Sequence, residues 1–296
     1  MLNQKIVAII VTYNPNIKRF KLVLESLKNQ IYETIVVDNN SNNFKEVKKL
    51  MNTNVKLIHL NNNYGLAEGL NIGIKYTPKN VNWILTLDQD TIINKNVIKS
   101  LINEYEKLDK YIKSKVAIIH MAYENIGNRW IDKFIYNYIV LDKNHLNLMN
   151  NNIKFYLVKQ VIQSGMLIKF NICTKFKFNK DLFIDQIDRE YCSKIYNQGF
   201  LILDSKEILT KHKLGVTKIV NHKIIRYENK MRLKYFTRNS AYLLKNRELP
   251  IFEYFFGIIL FYRKYIIVQG WKSIPILIKI YFSFTFKGFL GKLGKL

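Results

Sequence analysis

The sequence predicts an α/β domain on a mostly parallel sheet flanked by helices, with an amphipathic helical extension at its C-terminal end. Three observations carry that class: short β-branched runs that are apolar throughout, helical spacing in the segments between them, and a change of character after residue 245. Strands without polar alternation are covered on both faces, the condition of a parallel sheet between helical layers.

Residues 5–12 (KIVAIIVT) are the first such run, closed by the turn Tyr13-Asn14-Pro15. Over 17–29, Phe20, Val23, Leu24 and Leu27 recur at helical spacing. Residues 34–38 (TIVVD) form a second strand, ended by five polar residues, Asn39-Asn40-Ser41-Asn42-Asn43, and 55–60 a third. Residues 65–75 (GLAEGLNIGIK) read as a loop entering a helix; 82–87 (NWILTL) and 116–121 (VAIIHM) are the fourth and fifth strands. The Asn-rich stretch 144–152 is a loop between two halves. After it, 158–170 contains Gln163-Ser164-Gly165, and 182–196 carries a helix. Residues 250–286 are dense in Phe, Tyr, Ile and Leu but broken by Glu253, Arg263, Lys264, Lys272 and Lys279. That pattern suits helices lying in a membrane interface, or a helical pair packed on the domain or between subunits.

Composition narrows the function classes. Of 296 residues 48% are hydrophobic, enough to build a core in spite of a net charge of +25. The charge is uneven: from Ile208 onward 18 basic residues face 3 acidic ones. An anionic partner follows for that part: nucleic acid, lipid headgroups or a phosphorylated substrate. A global Lys, Asn and Ile bias contributes to the excess as well. Nucleic acid is the poorest fit, because no Gly-aromatic RNA-binding signature, zinc finger or basic zipper is present. Two cysteines, Cys173 and Cys192, give neither a disulfide framework nor zinc spacing and point to a reducing compartment. The run 6–11 is too short for a signal-peptide core, and no apolar stretch reaches spanning length, so neither secretion by that route nor a simple anchor is expected.

Ligands of open α/β sheets bind beyond the carboxyl ends of the strands. Asp38 ends the second strand and Asp88 follows the fourth, both beside polar loops. In Asp88-Gln89-Asp90 two carboxylates on a turn can face one hard cation, or one can hold the cation while the other contacts a sugar. Asp185, Asp188 and Glu190 fall within six residues of a basic half. Asp185 and Asp188, three apart, share one face of a helical turn, where an ionised carboxylate can act as a general base or a cap. His212 is either an exposed histidine or a further ligand, since imidazole suits manganese; His59, His120, His145 and His222 have no metal-type spacing.

VAIIVTYNPN (7–16), IVVDNNS (35–41), NNNYGLAEGLNIGI (61–74) and WILTLDQDT (83–91) resemble the family 2 inverting glycosyltransferases of the Rossmann-like GT-A fold. SGMLI (164–168), LFIDQIDREYC (182–192), HKLG (212–215) and YFTRN (235–239) bring the resemblance to the bacterial rhamnosyltransferase branch. The motifs keep their order from residue 7 to about 240.

The resemblance implies roles residue by residue. Thr12, Tyr13 and Asn14 would line the nucleotide pocket, and Asp38 would accept a hydrogen bond from the base imide. Asn63, Gly65 and Asn71 would belong to the loop over the nucleotide, with Gly65 allowing close approach. Asp88, Gln89 and Asp90 would form the Asp-x-Asp element, with Asp90 the direct ligand of Mg2+ or Mn2+, Asp88 beside it and His212 completing the shell. Many relatives carry Glu-Asp where this chain has Ile187-Asp188; that alignment makes Asp188 the base, with Asp185 the alternative. Arg238, with Asn239, would touch the diphosphate or serve as a fold-stabilising residue. The expected domain is catalytic over 1–245, with a nucleotide-sugar half at 1–121, an acceptor half at 150–245 and a membrane-interfacial tail at 246–296. The expected donor is TDP-L-rhamnose, with galactofuranose, glucose, galactose or N-acetylhexosamine nucleotides as alternatives, and a non-catalytic membrane scaffold as the rival class. The expected acceptor is a lipid-linked cell-surface polysaccharide on the cytoplasmic face of an anionic membrane, with a homo-oligomer through the C-terminal helices as a further possibility.

Overall fold

The computed structural model describes residues 4–124, 154–211, 216–220 and 223–296. The Asn-rich stretch 144–152 and His212 lie outside the described residues.

The first half is a run of strands and crossover helices: β1 (Ile6–Thr12), α1 (Ile17–Leu27), β2 (Glu33–Asp38), α2 (Phe44–Lys49), β3 (Val55–His59), α3 (Leu66–Lys75) and β4 (Trp83–Asp88). β3, β2, β1 and β4 are adjacent and parallel, in register from Ile9 with Ile35 on one side and Thr86 on the other. Side chains on β1 alternate between two cores. Ile6, Ala8 and Ile10 pack with Phe20, Val23 and Leu27 of α1, while Val7, Ile9 and Val11 pack with Ala67, Leu70 and Ile74 of α3. This is why the run shows no polar alternation. α3 lies so close to β1 that a Cβ at Gly69 would stand 2.7 Å from Val11 Cγ1, which fixes where the N-terminus of α3 points.

Beyond β4 the elements are β5 (Ile92–Ile93), α4 (Val97–Glu106), α5 (Lys110–Lys115), β6 (Val116–Glu124), β7 (Phe155–Val158), β8 (Met166–Lys169), α6 (Phe170–Lys175), a 3-10 turn at Lys180–Leu182, α7 (Ile187–Tyr196) and β9 (Leu201–Lys211). The described sheet has nine strands in the order β3-β2-β1-β4-β8-β6-β9-β5, with β7 also on β9. Its second half is mixed: β8 runs antiparallel between β4 and β6, and β5 and β7 run antiparallel to β9, while β6 and β9 are parallel. β8 has only four residues and leaves no run long enough to read from sequence. The helix expected from 182 begins at Ile187, because the preceding residues form a turn.

β10 (Val216–Val220) and β11 (Lys223–Tyr227) form a hairpin, followed by α8 (Lys230–Lys245), α9 (Ile251–Gln269) and α10 (Ile274–Phe289). Ala241, Leu243, Leu249, Tyr254 and Ile258 make a third core among these helices. Gly288 of α10 lies against the Arg238 carbonyl and Ala241 of α8 with no room for a side chain. The C-terminal helices therefore pack on the domain by one face. The other face exposes Phe255, Ile259, Trp271, Ile278, Phe282 and Phe286 beside exposed Arg263, Lys272 and Lys279. Among the described residues no helix is long and apolar enough to cross a membrane.

Candidate active site

The carboxyl ends of β1, β2 and β4 meet the N-termini of α3 and α7 and one face of α8. Asp38 closes β2 with no exposure to solvent. Its Oδ1 accepts from Thr12 Oγ1 at 2.8 Å and Ser41 Oγ at 2.5 Å. Its Oδ2 accepts from Ser41 N–H at 2.9 Å and faces His59 Nδ1 at 3.0 Å. Both oxygens of Asp38, the residue expected to accept from a base imide, are thus engaged within the chain, one of them by His59. His59 is the partner that can yield, since its side chain is 37% exposed and it stacks on Phe44 at 3.7 Å.

The neighbouring loops are tied to the same network. Asn14 N–H donates to Ser41 Oγ at 2.9 Å, and Asn42 N–H to Asn14 Oδ1 at 2.8 Å. Tyr13 N–H donates to Gln89 Oε1 at 2.9 Å, so Gln89 fastens the acidic turn to the end of β1. Asn63 Oδ1 accepts from Gly65 N–H at 2.9 Å and shapes the loop before α3. Gly65 (φ +89°) is required by a neighbouring backbone: a Cβ there would stand 2.5 Å from Phe183 O. Phe183 thus requires glycine here independently of the expected approach of a nucleotide. Asn71, expected in that loop, lies within α3. Its amide exchanges two hydrogen bonds with the Phe178 backbone, at 2.9 and 3.0 Å, and braces α3 against residues 176–179.

Asp88 N–H donates to Ser164 Oγ at 3.0 Å, which hangs the acidic turn on the start of β8. Burial pushes the Asp88 carboxyl up to about 7; Asp90 and Asp188 add to the rise and Arg232 opposes it. Asp90, Asp188 and Arg232 thus all act on Asp88 at the end of β4. Arg19 of α1 donates from Nε to the Asp90 carbonyl at 2.8 Å. Asp188, in the first turn of α7, accepts from Arg189 N–H at 2.9 Å; burial raises its pKa, the Arg189 amide and guanidinium lower it, and Asp185 raises it.

Asp185 is already committed. Arg232 of α8 grips it through both Nε, at 3.2 Å, and a terminal nitrogen, and Arg232 Nε also lies 3.5 Å from Glu228. Burial works against the Arg232 charge, but Asp185, Glu228 and Asp88 hold it firmly protonated. Arg238, expected either at the diphosphate or as a fold-stabilising residue, is fully buried. Its guanidinium donates to Asn239 Oδ1 at 2.9 Å, Gly294 O at 2.7 Å and Leu182 O at 3.3 Å. A cation that acts on Asp88 is Arg232, six residues earlier on the same helix and outside the YFTRN motif that drew attention to Arg238.

Among the described residues no group of three or more His, Cys, Asp or Glu is arranged to hold a metal. The donor set still fits a hard divalent cation: crowded Asp88 and Asp90 carboxylates are what such an ion relieves, and diphosphate oxygens and water can complete its shell. A recess lined by Trp83, Tyr105, Lys113 and Lys169 lies at the opposite end of the strands, away from this chemistry.

Comparison with known proteins identifies the family and the fold. The chain is 29% identical over 267 residues to the "dTDP-rhamnosyl transferase RfbF" of Shigella flexneri, covering 84% of this chain and 83% of that one. Its fold is similar to that of S. aureus TarS 1-349 (TM-score 0.53, 19% identity, 71% of this chain and 60% of that one). It is also similar to GalNAc-T7, solved with UDP, GalNAc and Mn2+ (TM-score 0.53, 18% identity, 70% of this chain and 43% of that one). The profile of "Glycosyl transferase family 2" matches residues 7–176, more than half of the chain. With that match over the strands that carry Asp38 and the Asp88–Asp90 turn, the chain belongs to glycosyl transferase family 2.

Proposed function

We propose that this glycosyltransferase moves L-rhamnose from TDP-rhamnose to a hydroxyl of a lipid-linked cell-surface polysaccharide, with inversion at the anomeric carbon. The observation that carries the chemistry is that Asp88, at the carboxyl end of β4, lies within the electrostatic influence of Asp90, Asp188 and Arg232. The sugar rests on similarity to the Shigella protein.

The pyrophosphate sits over the Asp88–Asp90 turn, with the base beside Asp38 in exchange for His59. Thr12, Tyr13, Asn14 and Asn63 shape that end of the pocket. Asp188 takes the proton from the acceptor hydroxyl, whose oxygen attacks the anomeric carbon in line as the bond to the diphosphate oxygen breaks. Arg232 stands where charge develops on the leaving diphosphate, with five donors on a planar fork suited to phosphate. Asp88 and Asp90, with His212 as the expected further ligand, would hold Mg2+ or Mn2+, which supplies positive charge to the leaving group when bound. Asp185 orients Arg232, which leaves Asp188 as the base.

We assign residues 1–245 to catalysis and 246–296 to attachment. The exposed row of Phe255, Ile259, Phe282 and Phe286 beside Arg263, Lys272 and Lys279 supports peripheral binding to an anionic cytoplasmic membrane face, where a lipid-linked acceptor resides. A panel of nucleotide sugars, scored by released nucleoside diphosphate with membranes as acceptor source, tests the donor. TDP-rhamnose should be preferred, and turnover should stop in excess EDTA; preference for a UDP-hexose overturns the rhamnose reading. Replacing Phe282 and Phe286 by Ser should release the protein from anionic vesicles. Unchanged vesicle binding together with loss of a dimer would reassign the face to self-association.

A further inference from the structure

The segment that leads into α7 has a backbone it would not choose alone. Phe183, Asp185 and Gln186 all have positive φ, +66°, +64° and +63°, and none is glycine. Phe183 (ψ −62°) centres a γ-turn of the rare positive-φ kind, closed by Ile184 N–H donating to Leu182 O at 2.8 Å. L-residues hold such angles only where their surroundings over-determine them.

The surroundings here are one face of α8 and the start of α3. Arg232, Tyr235 and Asn239 are spaced three and four apart on α8 and share a face. Arg232 takes the Asp185 carboxylate, and Tyr235 stacks on the Phe183 ring at 5.2 Å and 12°. Asn239 Nδ2 lies 2.9 Å from Leu182 O, 2.8 Å from Ile184 O and 2.9 Å from Asp185 O. Its two hydrogens are thus shared among three carbonyls of the turn. The amide cannot rotate away, because Asn239 Oδ1 accepts from Arg238 Nε at 2.9 Å, and both side chains are fully buried. Arg238 is in turn anchored on Gly294 O. From the opposite side, Leu66 N–H donates to Phe183 O at 2.7 Å.

We propose that Asn239, locked by Arg238, is a positioning residue for the base: it holds the 182–186 turn in its left-handed conformation and so sets where Asp188, two residues further on, stands. The proposal rests on the reading of Asp188 as the base. It touches no substrate and acts through the loop, so it should govern turnover while leaving donor binding alone. A displacement of about 1 Å at a reacting group can cost about 100-fold in rate.

The test compares Asn239→Ala, Asn239→Asp and Gln186→Gly with wild type. The readouts are kcat with the best donor, TDP affinity by calorimetry, and melting temperature. Asn239→Asp keeps the shape but turns an acceptor toward three carbonyls. Gln186→Gly loosens the loop at an angle glycine adopts freely and removes the Gln186 hydrogen bond to Ser240 Oγ on α8, while leaving the buried Arg238–Asn239 pair intact. Expected are a fall in kcat of at least tenfold for both Asn239 variants, at least threefold for Gln186→Gly, and TDP affinity within twofold throughout. The proposal is overturned if a folded Asn239→Ala keeps kcat within twofold, if kcat and TDP affinity fall together in step with melting temperature, or if Gln186→Gly is indistinguishable from wild type. Asp188→Asn separates the two layers. If it stays active, the base assignment is at fault; if it is inactive while the Asn239 variants are active, the positioning role is.

Discussion

Replacing Asp188 by Asn should remove the proton acceptor while keeping shape and the hydrogen bond from Arg189 N–H. General-base catalysis contributes about 10²- to 10⁴-fold, so kcat should fall by that factor, about 2.7–5.4 kcal/mol in activation free energy. Donor binding should survive. Asp188 is one of the charges that push the Asp88 carboxyl up, so its loss lowers that pKa and leaves a cation site at least as good. Asp185→Asn makes the informative contrast, because it breaks the ion pair with Arg232, which keeps Glu228. Arg232 is 39% exposed, so the stability cost is set well below that of a fully buried pair, at about 1–2 kcal/mol, and turnover should stay within about tenfold. The assay is released nucleoside diphosphate under saturating donor, with TDP calorimetry in parallel. Near-normal turnover in Asp188→Asn together with an inactive Asp185→Asn would refute the assignment. Burial raises the Asp188 pKa, so the base is ionised only above that raised value. Activity in wild type should therefore be lost, as pH falls, earlier than an ordinary carboxylate would lose it.

Three further predictions follow from the site and its surroundings. Arg232→Ala should lower kcat by about 10²- to 10³-fold, and Lys in its place should restore little, because the bidentate fork is missing; full activity with Lys would remove the phosphate-facing role. His59→Ala should tighten TDP binding a few-fold, by freeing the Asp38 oxygen it occupies; weaker binding would mean that His59 assists the base instead of yielding to it. Glu248, whose Oε2 is buried without a hydrogen-bond partner, has its carboxyl pushed up to about 7 by burial and by Glu190, against the pull of Lys194. A carboxyl raised in the folded state is protonated there while already ionised in the unfolded chain, so it costs stability progressively between pH 4.5 and about 7. Glu248→Gln should therefore raise the melting temperature at pH 8 and leave it nearly unchanged at pH 4; an equal shift at both would exclude this linkage.

Much of the sheet and the location of the site could be read locally. β1, β2 and β4 are continuous apolar runs because both faces are buried, and each ends at a polar turn, which placed Asp38 and the Asp88–Asp90 turn at one edge. The mixed half was not legible, since β8 is four residues long and its direction depends on neighbours distant in sequence. The two readings of residues 250–286 reflect two faces of the same helices: Tyr254, Leu277 and Ile280 are buried on the domain, and Phe255, Ile278 and Phe282 are exposed.

By itself the sequence determined the class of strand, the polar strand ends and the identity of the acids, because these depend on residue type and short-range periodicity. Only the tertiary structure decided what each charged side chain faces. Arg232 and Arg238 sit on one helix, yet one meets Asp185 and the other is sealed against Gly294. Asp185 and Asp188 are three residues apart, yet one pairs with Arg232 and the other accepts from Arg189 N–H. Partnership of this kind is set by the angle at which α8 lies on the 182–186 turn. That angle comes from contacts between segments some 50 residues apart, a separation no local pattern spans.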